Sequence, residues 1–171
     1  MNRIELRPFT KEEYHTFFKG YKPDAEVDPS PFVYDPVQIE KSYEYNHGGS
    51  RENYEHLGIF LDGIPVGSFQ LKRIDTAGRK CEFGLILRDE QVRNRGVGSE
   101  AIRLGMEMAK EKYGILHLWG DTMGRNKRMQ RVFGKLGFRV VSIIVDDFSL
   151  YDGSLEDRLV YVKDLGEETG K

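Results

Sequence analysis

Cys81-Glu82-Phe83-Gly84-Leu85-Ile86-Leu87 is strand-like, and the polar run Arg88-Asp89-Glu90-Gln91-Val92-Arg93-Asn94-Arg95 separates it from Gly96-Val97-Gly98-Ser99. A helix follows from about Gly98 to Tyr113, because Ile102, Met106, Ala109 and Tyr113 recur on one helical face. Gly114 closes it. Two glycines at a helix start let a backbone come close to a ligand. The first turn of a helix also offers unpaired N–H groups and a partial positive charge. Residues Arg93, Asn94, Arg95, Gly96, Val97, Gly98 and Ser99 therefore form a candidate anion site suited to phosphate or pyrophosphate. Gly96-Val97-Gly98-Ser99-Glu100-Ala101 also satisfies the G-x-G-x-x-A dinucleotide pattern, so an NAD(P)-binding enzyme is one alternative. That pattern needs its first glycine directly after a buried strand, and here the polar run intervenes. A P-loop is excluded because no Gly-Lys-Ser/Thr follows. The plainest alternative is a glycine-rich helix start with no ligand.

Ile115–Trp119 reads as a strand. Asn126 is a good N-cap for a helix with the stripe Met129, Val132, Phe133, Leu136, and Gly137 suits the left-handed residue after it. Phe138–Val145 and Arg158–Val162 are the last strands. Toward the N-terminus, Ile4–Arg7 is a short strand, and Thr10 caps a helix over Lys11–Phe18 with Glu13 as its capping-box partner. Residues 20–37 form a proline-rich loop, and a polar helix covers Val37–Tyr45. Leu57–Leu61 and Pro65–Lys72 flank the hairpin signal Asp62-Gly63. The alternation of strands and helices predicts an α/β fold with a mixed sheet, as one domain over residues 1–171.

Composition narrows the function classes. Lys plus Arg is 26 and Asp plus Glu is 28, a net charge of −2, which argues against a dedicated nucleic-acid binder. No run reaches the roughly 20 apolar residues of a membrane span, and the charged start MNRIELRPFT is unlike a signal peptide. A single cysteine, Cys81, cannot form an internal disulfide and predicts a reducing, cytoplasmic setting; we read it as a packing residue. The histidines His15, His47, His56 and His117 are scattered, so no metal site is expected. His117, in a strand, is read as a satisfied, partly buried imidazole.

Arg93, Gly96 and Gly98 form R-x-x-G-x-G at a helix start, and with the preceding strand Cys81–Leu87 and the later Asn126…Lys135-x-Gly137-Phe138 they resemble the GNAT N-acetyltransferases. The strong resemblance covers residues 81–138, and within the family it looks most like the branch that includes the ribosomal-protein N-terminal-amine acetyltransferases. It implies a twisted mixed sheet of six to seven strands, splayed between two central parallel strands, with helices on both faces. It also implies acetyl-CoA as cofactor, coenzyme A as product and an amine as acceptor. Leu85, Ile86 and Leu87 would then offer backbone groups to the pantetheine arm. The loop Arg93–Ser99 would take the pyrophosphate, and Asn126, Met129 and Phe133 would line the other wall. Lys127, Arg128 and Arg131 either meet the phosphorylated ribose or form a solvated face. Members of the family often form homodimers through late strands.

Acetyl transfer to an amine needs a proton acceptor, because a primary amine of pKa about 10 is mostly protonated at pH 7. Glu82 is the candidate base, at a spacing before Gly96 that resembles the catalytic glutamate of histone-modifying members. The alternative is a strand glutamate paired with a nearby Lys or Arg. Many members place a tyrosine, as general acid, seven residues after the Asn126 position, and here Phe133, which has no proton to give, stands there. That departure leaves open a non-catalytic acetyl-CoA-binding sensor on the same fold. Asp121 and Thr122 either bind a cationic amine or cap the loop before Asn126. Residues 88–135 hold 11 Lys/Arg and 6 Asp/Glu, a net of +5 within an acidic chain. The acidic, aromatic segment over residues 20–56 would form the acceptor-side loops and suits a cationic amine.

Overall fold

The computed structural model describes residues 3–166; residues 1, 2 and 167–171 of the expected 1–171 domain lie outside them. The elements, in order, are β1 (Ile4–Arg7), α1 (Lys11–Gly20), α2 (Pro36–His47), β2 (Glu55–Leu61), β3 (Ile64–Asp75), β4 (Lys80–Leu87), α3 (Val97–Tyr113), β5 (His117–Met123), α4 (Lys127–Lys135), β6 (Arg139–Ser149) and β7 (Leu155–Asp164). The seven strands form one sheet in the order β1-β2-β3-β4-β5-β7-β6. All pairs are antiparallel except β4 with β5.

Strand alternation divides the sheet into two faces, each with its own helices. Leu57, Ile59, Phe69, Leu71, Cys81 and Phe83 join Ala101, Ile102 and Ala109 of α3 and Phe133 of α4 in the main core. Phe60 faces the other way and packs with Phe9, Tyr14, Phe17 and Ile39 beneath α1 and α2. Gly105 brings α3 down onto the sheet: a Cβ there would lie 2.2 Å from Phe69 Cζ. The capping box of α1 is present, with Thr10 N donating to Glu13 Oε1 at 2.9 Å and Glu13 N donating to Thr10 Oγ1 at 3.2 Å.

The parallel pair β4–β5 matters most for the site. It pairs only Lys80 with His117, Cys81 with Leu118 and Glu82 with Trp119. Beyond Glu82 the strands separate, although each keeps its outer partner, β3 or β7. The sheet is therefore split between its two central parallel strands, and the β5-facing edge of residues 83–87 has no strand partner among the described residues.

Several element limits differ from those expected. β5 is His117–Met123 rather than Ile115–Trp119, since Leu116 N and His117 N both donate to Arg79 O as the chain turns into the strand. β6 runs to Ser149 and β7 spans Leu155–Asp164, both longer than expected, because a bulge between Ile144 and Phe148 absorbs Asp146 at φ 55°. Among the described residues, no helix is long and apolar enough to cross a membrane, and no group of three His, Cys, Asp or Glu side chains could hold a metal ion.

Candidate active site

A cavity of about 340 Å³ opens where β4 and β5 part. The wall from β4 is Leu85, Ile86 and Leu87. Arg93, Asn94, Gly96, Gly98 and Ser99 form the next side, and Asn126 and Met129 lie opposite with Val132. The structure thus brings together ten of the residues expected to bind cofactor.

The loop before α3 is shaped for an anion. Asn94 and Gly96 both take left-handed conformations, φ 63° and 78°, and successive amides in such a turn converge into a concave nest. α3 has no side-chain cap at its N-terminus. The amides of residues 94–99 donate to no acceptor among the described residues, whereas Val92 N and Arg93 N are both taken by Asp89 O. Open amides at a helix start and an unpaired strand edge beside them are the two features a phosphorylated ligand with an amide-bearing arm would use.

Three expected residues sit elsewhere. Val97 is buried and packs in the main core. Arg95 is exposed and does not line the cavity. Phe133 is a correction: its ring is fully buried, stacked on Tyr161 at 4.2 Å and 6° between planes, and Val132 takes its place on the cavity wall. The reason is helical phase, since Phe133 lies on the sheet-facing side of α4. Arg93 also differs in kind. Its guanidinium is buried and donates to Lys22 O at 2.6 Å and to Leu87 O at 2.9 Å, so it braces the loop against β4 while forming part of the cavity wall.

Reasoning from sequence missed the other wall. Tyr21, Pro23, Asp24, Val27 and Asp28 close over the same cavity. Lys22 N donates to Arg88 O at 2.7 Å and holds this segment down. Asp24 also meets Arg128 at 3.2 Å. No local pattern signals this docking, and it moves acidic residues expected on the acceptor side to the anion-site cavity.

Glu82 faces a second cavity, of about 590 Å³, with Arg51, Tyr54, Lys72, Asp121 and Arg158. Its side chain is only 9% exposed, with Lys72 Nζ at 3.4 Å and Arg73 Nε at 3.7 Å. The ion-pairing alternative is therefore realised in part, but Glu82 makes no hydrogen bond to a described side chain and its oxygens remain able to accept one. Glu82 and Ile86 share a strand face four residues apart, about 13 Å along β4, so the two cavities adjoin the same split. Asp121 is taken by Arg158 at 2.5 Å, and Thr122 is buried. His117 is satisfied by Asp164 at 2.7 Å but is exposed, contrary to the partly buried reading, and this contact holds the Asp164 carboxyl below its ordinary range. Cys81 is buried, and burial pushes its thiol to about 12, so it carries no nucleophilic thiolate at neutral pH.

His56, a buried residue of β2, gives a pH prediction. Burial, with His47 and Arg51 nearby, lowers it to about 3, and its Nε2 lies 2.6 Å from Ser68 Oγ. The folded chain keeps this imidazole neutral where the unfolded chain, at about 6.5, protonates it. Between those values the unfolded state binds more protons, so the stabilisation is complete above pH 6.5 and declines as pH falls. The expected slope approaches about 1.4 kcal/mol per pH unit. Urea titrations at pH 7 and pH 5 measure it, and His56→Gln should remove that component.

A family model described as an acetyltransferase (GNAT) domain matches residues 3–139. An N-alpha-acetyltransferase of Sulfurisphaera tokodaii is 26% identical over 108 residues, 63% of this chain, and the match spans 65% of that relative's length. Among solved structures, a RimL ribosomal L7/L12 alpha-N-protein acetyltransferase in complex with coenzyme A superposes with TM-score 0.81 at 16% identity, covering 94% of this chain and 93% of that one. A spermidine N-acetyltransferase from Vibrio cholerae, in complex with CoA and spermine, superposes with TM-score 0.79 at 13% identity and 95% coverage of both chains. These structures share the fold.

Proposed function

The chain belongs to the GNAT acetyltransferase family, whose model covers residues 3–139, and on that premise we propose that it transfers an acetyl group from acetyl-CoA to an amine. The observation that carries this reading is the end of β4–β5 pairing at Glu82–Trp119, next to a helix start whose amides are open. The residues present fit the cofactor. The amides of residues 94–99 would hold the pyrophosphate, and the free edge of residues 85–87 would pair with the pantetheine amides as an added strand does. Asn126 Oδ1 accepts from Met129 N at 3.0 Å and fixes the start of α4, so that Met129 and Val132 form the facing wall.

When bound, acetyl-CoA supplies the thioester: the amine's N–C bond forms as the C–S bond breaks, and the thiolate leaves with a proton from water. Glu82 takes the proton from the attacking amine and passes it to water. An unpaired amide of residues 85–87 donates to the oxygen on which negative charge develops. The acetyltransferase unit comprises the expected 1–171 domain, with residues 81–138 as its cofactor core. The test is thiol release from acetyl-CoA across a panel of amines. Release that depends on the amine and saturates in both substrates is expected, and binding of acetyl-CoA without release for every amine would contradict the reading.

A homodimer and a cytoplasmic location belong to the same proposal. β6 is an edge strand on which Val140, Val141, Ile143, Ile144 and Val145 are 43–70% exposed. A row of aliphatic side chains along an open strand edge suits pairing with a second copy, and light scattering reads the result. One buried, unpaired thiol suits a reducing compartment, which cell fractionation tests.

A further inference from the structure

Among the described residues, one cation of the cavity that holds Glu82 has no carboxylate partner. Arg51 lies in its wall, and its Cζ sits 3.5 Å from the Tyr54 ring centroid and 4.8 Å from that of Tyr45. Its Nη1 donates to Asn46 Oδ1 at 2.9 Å. No carboxylate among the described residues pairs with it.

The other cations of this cavity are differently placed. Lys72 and Arg73 both lean on Glu82. Arg158 is held by Asp121 at 2.5 Å and Asp147 at 2.6 Å. Glu52 is exposed and forms no pair with Arg51. Arg51 is thus part-buried, fixed by stacking and one hydrogen bond, and still has N–H donors to offer. A planar guanidinium held in this way matches the two oxygens of a carboxylate, and fixing it in advance reduces the ordering cost of binding. The cavity is in the usual size range of ligand sites, roughly 300–1,000 Å³.

We infer that the amine acceptor carries a carboxylate close to its amine, which Arg51 holds while the amine is presented to Glu82 and the split in the sheet. This rests on the acetyltransfer reading and narrows its substrate class. It adds an anionic group to the cationic amine expected from the acidic segment, of which Asp24 and Asp28 lie at the other cavity. A free amino acid and a peptide with an acidic residue next to its N-terminus share the required chemistry.

The test uses matched acceptors that differ only in the carboxylate. One arm compares an amino acid with its carboxamide, and the other compares dipeptides with Asp or Asn in second position. Spermidine and tyramine serve as amines without a carboxylate. Rates are expressed per unprotonated amine. A preference for the acid of about 10- to 100-fold, lying in KM, is expected in at least one arm, as for hydrogen bonds to a charged group. The arm that shows it identifies the source. Arg51→Gln should bring that ratio close to one, and Arg51→Lys should keep part of it. Equal use of acid and amide in both arms, or a preference that survives Arg51→Gln, would overturn the inference. So would turnover of spermidine or tyramine with no carboxylate-bearing amine used, and in that case acetyl transfer itself would stand. No release with any amine, despite acetyl-CoA binding, would overturn acetyl transfer and this inference with it.

Discussion

Replacing Glu82 with glutamine is expected to lower the acetylation rate at pH 7 by about 100- to 10,000-fold, the usual contribution of a positioned general base. Glutamine keeps the size and most of the polarity of the side chain but accepts no proton. The defect should narrow as the pH approaches the amine's own pKa, because a growing fraction of acceptor arrives already deprotonated. Acetyl-CoA affinity should change little, since Glu82 lies in the second cavity and contributes nothing to the anion-site wall. The substitution leaves Lys72 and Arg73 without their shared counter-charge, so the melting temperature is measured alongside. A pH–rate profile identical to that of the unaltered protein would assign Glu82 to ion pairing alone.

Gly98→Ala should act in opposite directions on folding and on binding. Gly98 does not adopt a left-handed conformation, and an added Cβ meets only Leu87 Cδ1 at 3.7 Å and Leu85 Cδ1 at 3.8 Å, ordinary contacts. Nothing in the fold requires glycine there, and alanine in a helix is favoured by up to about 1 kcal/mol. Gly98 does line the cavity, in the first turn of α3. A methyl group there obstructs close approach of a phosphate to the amides and should weaken acetyl-CoA binding by about tenfold or more, as loss of a charge-assisted hydrogen bond would. Calorimetric titration and a thermal melt read the two effects separately. Gly96→Ala is less informative, because the φ of 78° makes that substitution strained whether or not a ligand binds.

The parts of this molecule legible in the sequence are those fixed by local chemistry. Thr10 with Glu13, and Asn126 before its apolar stripe, announce helix starts because the capping bonds span three residues. The glycine pattern after a polar run announces the anion loop for the same reason. Register is different. Nothing local to Glu82 or Trp119 states that pairing stops there; the split arises because β3 and β7 carry the two strands apart. The chain over 21–28 has no periodicity, and its place at the cavity depends on backbone bonds to Arg88 and on Arg93, more than 60 residues away. Phe133 shows the converse. Its spacing in the apolar stripe of α4 correctly indicates a core residue, whereas the family resemblance assigned it to the ligand wall.

Thermal melting with added ligand shows whether the split in the sheet and the α3 N-terminus hold acetyl-CoA. A ligand that binds only the folded state stabilises it by RT ln(1 + [L]/Kd), about 2.7 kcal/mol at 100 times Kd. Millimolar acetyl-CoA should raise the melting temperature by an amount that grows with the logarithm of its concentration, and NAD(H) should leave it unchanged. A melting temperature that rises with NAD(H) and not with acetyl-CoA would show that the site does not hold acetyl-CoA.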